Sequence, residues 1–188
     1  LDCISDPTVP DTSTFDDARY TLTKYHLWAK MPESVVEFLK NAGPEQETVK
    51  KADFAGHNRH DFIIVKRNTA CESAAEKARV LGFDTMILST MFEGESKELG
   101  RVFSTIAGEI VLNHKPLSPP CVVIGGGETT VKIAGKAGGG GPNQEFAAGA
   151  ALFIDNMKNV VIVGLDSDGT DGPTEFAGAI VDDSVVVR

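Results

Sequence analysis

The sequence predicts an α/β protein in which βαβ units with a mainly parallel sheet are followed by a mixed α/β C-terminal domain. From residue 61 onward, short apolar runs alternate with helical stretches, a pattern typical of βαβ units. Eight of the 19 glycines lie within residues 125–141, directly before a stretch that opens with Pro142 and has a helical pattern. The 188 residues suffice for one large domain or two small ones.

The composition restricts the classes of function. The chain carries 18 Lys and Arg against 27 Asp and Glu, a formal net charge of −9, so a basic surface for nucleic acid or anionic membrane is not expected. No apolar run approaches the ~20 residues of a membrane span. Cys3, Cys71 and Cys121 are widely spaced and odd in number, which predicts neither a disulfide framework nor a thiol zinc site. We expect a cytoplasmic protein that handles small molecules.

The N-terminal third is predicted to contain two helices. Residues 5–15 are rich in Pro, Asp, Ser and Thr and predict a loop. Two overlapping Ser/Thr-x-x-Asp pairs within residues 13–17 predict a capped helix that continues to about Met31. Pro32 predicts the first position of a second helix, and Gly43 its end. The polar stretch after this helix is predicted to be a connector.

The alternating region is predicted to contain strands and helices in turn. The predicted strands are residues 62–65, 85–88 and 121–124. Thr69 followed by Glu72 predicts the start of a helix, and Gly82 predicts its end. A second helix is predicted from apolar residues on one face, namely Leu99, Val102, Phe103, Ile106 and Ile110.

The C-terminal part predicts two more strands and a helix. The β-branched residues 129–133 predict a strand antiparallel to the one before it. Pro142 predicts the start of a helix that reaches Ile154. Residues 160–163 predict a strand that ends at the acidic segment 166–173. Because α/β folds place ligands at the carboxyl ends of strands, this segment is a candidate ligand loop.

The glycine run 138–141 is a second candidate, because bare N–H groups and a helix dipole favour phosphate. The alternative is a surface loop whose glycines only permit sharp turns. Lys136 is followed by Ala137 where a P-loop needs Ser or Thr, which excludes that motif. Gly125 and Gly127 lead into another strand instead of a helix, which excludes the dinucleotide-binding fingerprint.

The acidic segment allows several interpretations. An apolar strand followed by Asp166-x-Asp168 resembles the first motif of haloacid-dehalogenase-type phosphatases, but their later motifs need more than the 18 residues after Thr170. An EF-hand calcium loop that starts at Asp166 is excluded. Its sixth position needs Gly but is Asp171, and its twelfth position needs Glu but is Ala177. Acidic side chains that cap a turn and a helix are the structural alternative.

Five motifs together point to one family. They are SDPTVPD at residues 5–11, GGETTV at 126–131, GGPNQE at 140–145, DGTDGPT at 168–174 and AGAIVD at 177–182. In order and spacing they resemble the glycerate 2-kinase family, whose members are also labelled hydroxypyruvate reductases and whose C-terminal part is called the MOFRL domain. The resemblance implies that residues 1–115 end an N-terminal glycerate kinase α/β domain and that residues 116–188 form a MOFRL-like domain, incomplete at its C-terminus. We expect the chain to be the C-terminal part of a longer enzyme.

The resemblance also implies an activity, the ATP-dependent phosphorylation of D-glycerate to 2-phosphoglycerate with magnesium, which the fragment alone is expected to lack. Phosphoryl transfer requires in-line positioning, charge neutralisation and acceptance of a proton. Asp168, Asp171 and Glu128 are the candidate catalytic residues, and Asp168 and Glu128 the candidate magnesium ligands. The candidate nucleotide-binding residues are Gly125, Gly126, Gly127, Thr129, Thr130, Lys136, Gly139, Gly140, Gly141, Asn143 and Gln144.

Two other functions stay open at this stage. One is an NAD(P)H-dependent hydroxypyruvate reductase, which the missing dinucleotide fingerprint disfavours. The other is a non-catalytic module that binds an organophosphate. The expected partners are D-glycerate and a nucleotide, with no nucleic acid and no membrane, and assembly into a homo-oligomer is left open.

Overall fold

A computed structural model describes residues 9–58, 60, 62, 66–136 and 138–185, without the side chain of Arg67. Contacts within the chain divide it into two compact units, with the division between residues 64 and 65. We call them unit one and unit two. The predicted domain boundary at residue 116 follows the order of motifs and stays a prediction. Cys3, Ala137 and the first part of the SDPTVPD motif lie outside the described residues.

The described residues of unit one contain two helices joined by short turns. Helix α1 spans Phe15–Lys24, α2 spans Glu33–Asn41, and single 3-10 turns lie at Trp28–Lys30, Pro44–Gln46 and Lys51–Phe54. The predicted cap of α1 is confirmed, since Asp17 N donates to Thr14 Oγ1 at 3.2 Å and Thr14 N donates to Asp17 Oδ2 at 2.8 Å. The predicted continuation of α1 to Met31 is wrong. The helix ends at Lys24 with Tyr25 as its C-cap residue, and His26 turns the chain with a φ of +53°.

The two helices of unit one contact each other through an aromatic pair and an arginine. The Phe15 and Phe38 rings meet edge to face with centroids 5.6 Å apart. Arg19 Nε donates to Leu39 O at 2.6 Å, and its guanidinium also donates to Ala42 O at 2.7 Å. Because the last carbonyls of a helix have no partner within the helix, Arg19 satisfies the C-terminal end of α2.

The predicted bounds of α2 differ slightly from the observed ones. Pro32 is the N-cap residue instead of the first helical residue, and the helix ends two residues before Gly43. The connector that follows contains the 3-10 turns Pro44–Gln46 and Lys51–Phe54. Its described residues contain no α-helix and no strand.

Unit two contains three helices and four strands among its described residues. They are α3 Arg67–Val80, β1 Asp84–Phe92, α4 Ser96–Asn113, β2 Cys121–Gly127, α5 Pro142–Ala151, β3 Val161–Leu165 and β4 Gly178–Asp182. β1 and β2 are parallel with Asp84 opposite Cys121, and β3 and β4 are antiparallel with Val161 opposite Asp182. Helix α3 packs on the first pair, α5 on the second, and α4 on α5. The predicted α/β class is confirmed.

Several predicted elements of unit two need correction. Thr69 lies inside α3, which begins at Arg67, although Gly82 follows the helix with a φ of +89° as expected for its end. The predicted strand 129–133 is not formed; only Thr130 makes an isolated bridge, to Glu95. Helix α5 ends at Ala151, three residues before the predicted end.

The predicted strand 62–65 falls mostly outside the described residues. Phe62, the one member that the structure describes, lies outside any strand and is 83% exposed. The prediction of a strand at this residue is therefore wrong.

Small residues allow α4 and α5 to cross at close range. A Cβ atom at Gly149 would collide with the backbone of Lys97. Ser104 is fully buried, and its hydroxyl lies 3.0 Å from Gly100 O and 3.1 Å from Ala150 O. The adjacent core of α5, β3 and β4 consists of Ala147, Ala150, Ala151, Ile154, Ile162 and Val181. This core fixes the N-terminus of α5 beside the segment that follows β3.

In the part of the chain that the structure describes, no helix combines the length and the apolar character needed to cross a bilayer.

Candidate functional site

The predicted site residues fall into two groups in unit two. One group lies at the end of β2 and in the segment that follows it. The other combines the N-terminus of α5 with the segment after β3. Among the described residues, no hydrogen bond or ion pair joins the two groups.

The segment after β2 is bound to the start of α4. Ser96 is fully buried, and its hydroxyl donates to Thr129 Oγ1 at 2.8 Å. The backbone N–H of Ser96 donates to Thr130 O at 2.9 Å, and that of Thr130 donates to Gly94 O at 2.8 Å. These bonds occupy both backbone groups of Thr130, which are then not available for a strand ladder with β2.

Close packing accounts for the three glycines 125–127 at the end of β2. A Cβ atom at the first would stand 2.7 Å from the Phe103 ring, and one at the second 2.7 Å from Cys71 Sγ. A Cβ atom at the third would collide with the backbone of Phe92.

Burial raises the pKa of the Cys71 thiol above its ordinary value, with a smaller contribution from Glu72, so the thiol is a poor nucleophile.

Three of the four predicted site residues with charged side chains are exposed to solvent, namely Glu128, Lys136 and Asp168. Within the described ranges, their charged groups make no hydrogen bond or ion pair. Carboxylate oxygens suit Mg²⁺, which proteins usually hold through one or two carboxylates together with substrate phosphates. Glu128 and Asp168 fit that donor chemistry. Among the described residues no group of three or more His, Cys, Asp or Glu is arranged to hold a metal by itself.

The second group is organised around Asp171, whose side chain is fully buried. Asp171 Oδ1 accepts a hydrogen bond from Asn143 N at 3.0 Å, and Oδ2 accepts one from Gln144 N at 2.7 Å. The N-cap residue of α5 is Gly141, which has no side chain to satisfy these donors. Asp171 therefore caps α5 from a distant position in the sequence.

Hydrogen bonds also join the turn after Asp171 to α5. Thr174 Oγ1 donates to Asp171 O at 2.8 Å, and Gln144 Nε2 donates to Thr174 Oγ1 at 2.8 Å. The backbone N–H of Asp171 donates to Phe176 O at 2.7 Å. The turn and the first residues of α5 thus form one hydrogen-bonded group.

The glycine run has an open part and a packed end. Cβ atoms at Gly138, Gly139 and Gly140 would meet nothing within 4 Å. A Cβ atom at Gly141 would stand 2.5 Å from Asp171 Cγ, and one at Gly172 would collide with Gly140 O. Close packing therefore explains Gly141, whereas the exposed Gly138 and Gly139 are accessible to a ligand.

Sequence reasoning missed two residues that organise these groups. Asp166 Oδ1 accepts from Asp168 N at 2.8 Å, and Asp166 Oδ2 lies 3.5 Å from Asn143 Nδ2. The Asp-x-Asp spacing is the available signal, since an aspartate often accepts from the backbone two residues later. Ser96, the other missed residue, is the first residue of α4, and its sequence context predicts only an ordinary helix start.

Two family models match parts of the chain. Residues 121–188 match the MOFRL family, and residues 2–40 match a domain of unknown function, DUF4147.

Curated relatives match nearly the whole chain. A glycerate 2-kinase from Pyrococcus horikoshii is 45% identical over 95% of the chain, which covers 40% of that protein. A D-glycerate 2-kinase from Thermotoga maritima is 37% identical over 98% of the chain, which covers 42% of it. The chain thus spans about two fifths of the length of these relatives. Two similar proteins from Agrobacterium vitis carry hydroxypyruvate reductase in their names.

A solved structure agrees with these matches. The crystal structure of a glycerate kinase from Thermotoga maritima superposes with a TM-score of 0.67 at 36% identity, over 93% of this chain and 39% of that one. The resemblance predicted from the motifs is confirmed. The chain is a homologue of the glycerate 2-kinases over nearly its whole length, and its residues 121–188 match the MOFRL family model.

Proposed function

We propose that this chain is part of an enzyme that phosphorylates D-glycerate with ATP and releases 2-phosphoglycerate. The observation that carries the proposal is a pair of exposed carboxylates, Glu128 and Asp168, each on a segment that follows a strand, in a homologue of glycerate 2-kinases. Ligands of α/β proteins bind at such strand ends. We also propose a cytoplasmic location, which the acidic composition, with 27 Asp and Glu against 18 Lys and Arg, supports.

The proposed reaction joins the C2 hydroxyl oxygen of glycerate to the γ-phosphorus of ATP. The bond between that phosphorus and the oxygen bridging to ADP breaks, and the hydroxyl proton passes to a carboxylate. We assign this proton to the carboxylate of Asp168. Asp168 is exposed, and its carboxylate oxygens accept no hydrogen bond from the described residues. Positioning and charge neutralisation supply most of the acceleration in such transfers.

The accessible ones among the remaining candidates would bind the nucleotide and its metal. Mg²⁺, when bound, neutralises charge on the transferred phosphoryl group, and Glu128 and Asp168 would hold it. The N–H groups of Gly138 and Gly139 and the ammonium of Lys136 are accessible for phosphate oxygens. Asp171 is enclosed, and we assign it a different role below.

The test is an assay of the full-length protein with ATP, Mg²⁺ and D-glycerate, in which 2-phosphoglycerate is distinguished from 3-phosphoglycerate. We expect Asp168→Asn to lower kcat by at least about 100-fold, because loss of a general base has that effect. Asp155→Asn is the matched control, since Asp155 is an exposed aspartate outside both groups. A near-normal kcat for Asp168→Asn would contradict the assignment.

The names of the Agrobacterium vitis relatives make hydroxypyruvate reduction the second candidate. The same preparation should be incubated with hydroxypyruvate and NADH or NADPH, and the cofactor absorbance followed. Oxidation of the cofactor without phosphorylation of glycerate would favour the reductase. Calorimetric binding of ATP or glycerate with neither turnover would favour a non-catalytic binding module.

A further inference from the structure

The buried carboxylate of Asp171 has no part in the chemistry proposed above. Its side chain is fully enclosed, so it cannot touch a substrate in this arrangement. Within the described ranges it forms no ion pair, and a buried charge without compensation is costly. The N-terminus of α5 supplies that compensation through two backbone N–H groups and the helix dipole.

We infer that Asp171 is a positioning residue that acts on Asp168 through α5, and the catalytic part of this inference rests on the proposed function. Asn143 Nδ2 donates to Asp171 Oδ1 at 3.2 Å and to Asp166 Oδ2 at 3.5 Å. Asp166 Oδ1 in turn accepts from Asp168 N at 2.8 Å. One amide therefore bridges two carboxylates, and the second carboxylate sets the direction of the backbone that carries Asp168.

The same contacts close the first turn of α5 to phosphate. The backbone N–H groups of Asn143 and Gln144 already donate to Asp171. A helix N-terminus binds an anion through such N–H groups, and here the anion is a carboxylate of the chain itself. Nucleotide phosphates on this loop are therefore left with the N–H groups of the glycine run, of which Gly138 and Gly139 are exposed.

The experiment compares wild type, Asp171→Asn and Asp171→Ala in the full-length protein. We expect each variant to lower kcat by roughly 100-fold, because misplacing a reacting group by about 1 Å has that effect, with little change in KM for ATP. The acidic limb of the kcat against pH profile should be retained, because the proton acceptor is still present. Loss of that limb in Asp171→Asn would show that Asp171 is itself the base and would overturn the inference.

Nucleotide affinity provides the second discrimination. If Asp171 is a positioning residue, Asp171→Asn should bind ATP with Mg²⁺ about as tightly as wild type in calorimetry, because the enclosed carboxylate makes no contact with the nucleotide. A clear loss of affinity in this variant would show that Asp171 contacts the nucleotide or its metal and would overturn the inference. An unchanged kcat would also overturn it.

A readout that needs no turnover separates this inference from the proposed function. Amide hydrogen exchange at Asn143 and Gln144 should be faster in Asp171→Ala, and formate should slow it again by occupying the vacated carboxylate position. Chloride at equal ionic strength is the control. Unchanged exchange rates would refute the capping role, whereas absence of glycerate phosphorylation by wild type would refute only the proposed function.

A milder variant covers the case in which Asp171→Ala does not fold. Thr174→Val removes the hydroxyl that joins Asp171 O to the Gln144 side chain but leaves the carboxylate in place. We expect the same faster exchange and lower kcat, with a smaller change in each. An unaffected kcat and exchange pattern in this variant would count against a positioning role for the turn.

Discussion

Asp11 in unit one and Asp171 in unit two each organise a loop, but in opposite surroundings. The Asp171 carboxylate is fully buried and accepts from the backbone of a helix. The Asp11 carboxylate is accessible to solvent and accepts from Ser13 N and Ser13 Oγ, both at 2.8 Å, and from Thr48 Oγ1 at 2.7 Å. Both loops belong to motifs that resemble the glycerate 2-kinase family.

The difference shows that burial, more than the number of hydrogen bonds, decides how much a loop depends on one aspartate. Near Asp11, water can replace a lost bond, so each bond contributes little. Near Asp171 water has no access, and unsatisfied N–H groups would each cost about 1–3 kcal/mol. Changes near Asp171 should therefore strongly affect the free energy of unfolding. Changes near Asp11 should affect mainly the pKa of the Asp11 carboxyl group.

The largest effect is expected for Gly141→Ala. The added Cβ atom would stand 2.5 Å from both the backbone carbon and the carboxyl carbon of Asp171, neither of which is a free side-chain end. We expect a loss of about 1–3 kcal/mol in the free energy of unfolding, measured by urea denaturation. Gly139→Ala is the matched control, because open space surrounds Gly139 and its φ is not positive. Equal losses in the two variants would refute the packing argument.

An intermediate effect on the stability of unit one is expected when the pH is lowered. Hydrogen bonds from Thr48 and Ser13 lower the pKa of Asp11 from 3.8 to about 2. Because the pKa is lower in the folded state, the ionised carboxylate stabilises unit one fully above about pH 4, and this contribution disappears as the pH falls through 3.8 towards 2. Fluorescence of Trp28, the chain's one tryptophan, should report a fall in stability over this window.

Asp11→Asn is the control for the acid effect. The variant lacks the titrating group, so its stability against pH should be flatter between 3.8 and 2 than that of wild type. An identical slope in both proteins would mean that Asp11 does not contribute.

The smallest effect is expected for Thr48→Val, which removes the largest cause of the low pKa of Asp11. We expect the pKa to rise part of the way towards 3.8, because the Ser13 donors remain. An NMR titration of the Asp11 carboxyl carbon measures the shift. Thr105→Val, a change of an exposed threonine in α4, should leave the pKa as it is. A pKa that stays at about 2 in Thr48→Val would show that the hydroxyl is unimportant.

Local signals in the sequence were enough for a large part of the fold. The capping box before α1, the strands β1, β2 and β3, and the apolar stripe of α4 each depend on residues within a few positions of one another. Such patterns report intrinsic backbone preference and the burial of one face. The order of the five motifs was likewise sufficient to indicate the glycerate 2-kinase family.

The tertiary structure decided the features that depend on distant residues. Residues 129–133 have strand propensity, but the backbone groups of Thr130 bind Gly94 and Ser96 at the entry to α4 instead. The phosphate-binding interpretation of α5 was reasonable from spacing, yet the donors of Asn143 and Gln144 bind Asp171, which lies more than 25 residues away. A sequence records which donors and acceptors exist, whereas their pairing depends on which groups the packed core brings within hydrogen-bonding distance and shields from water.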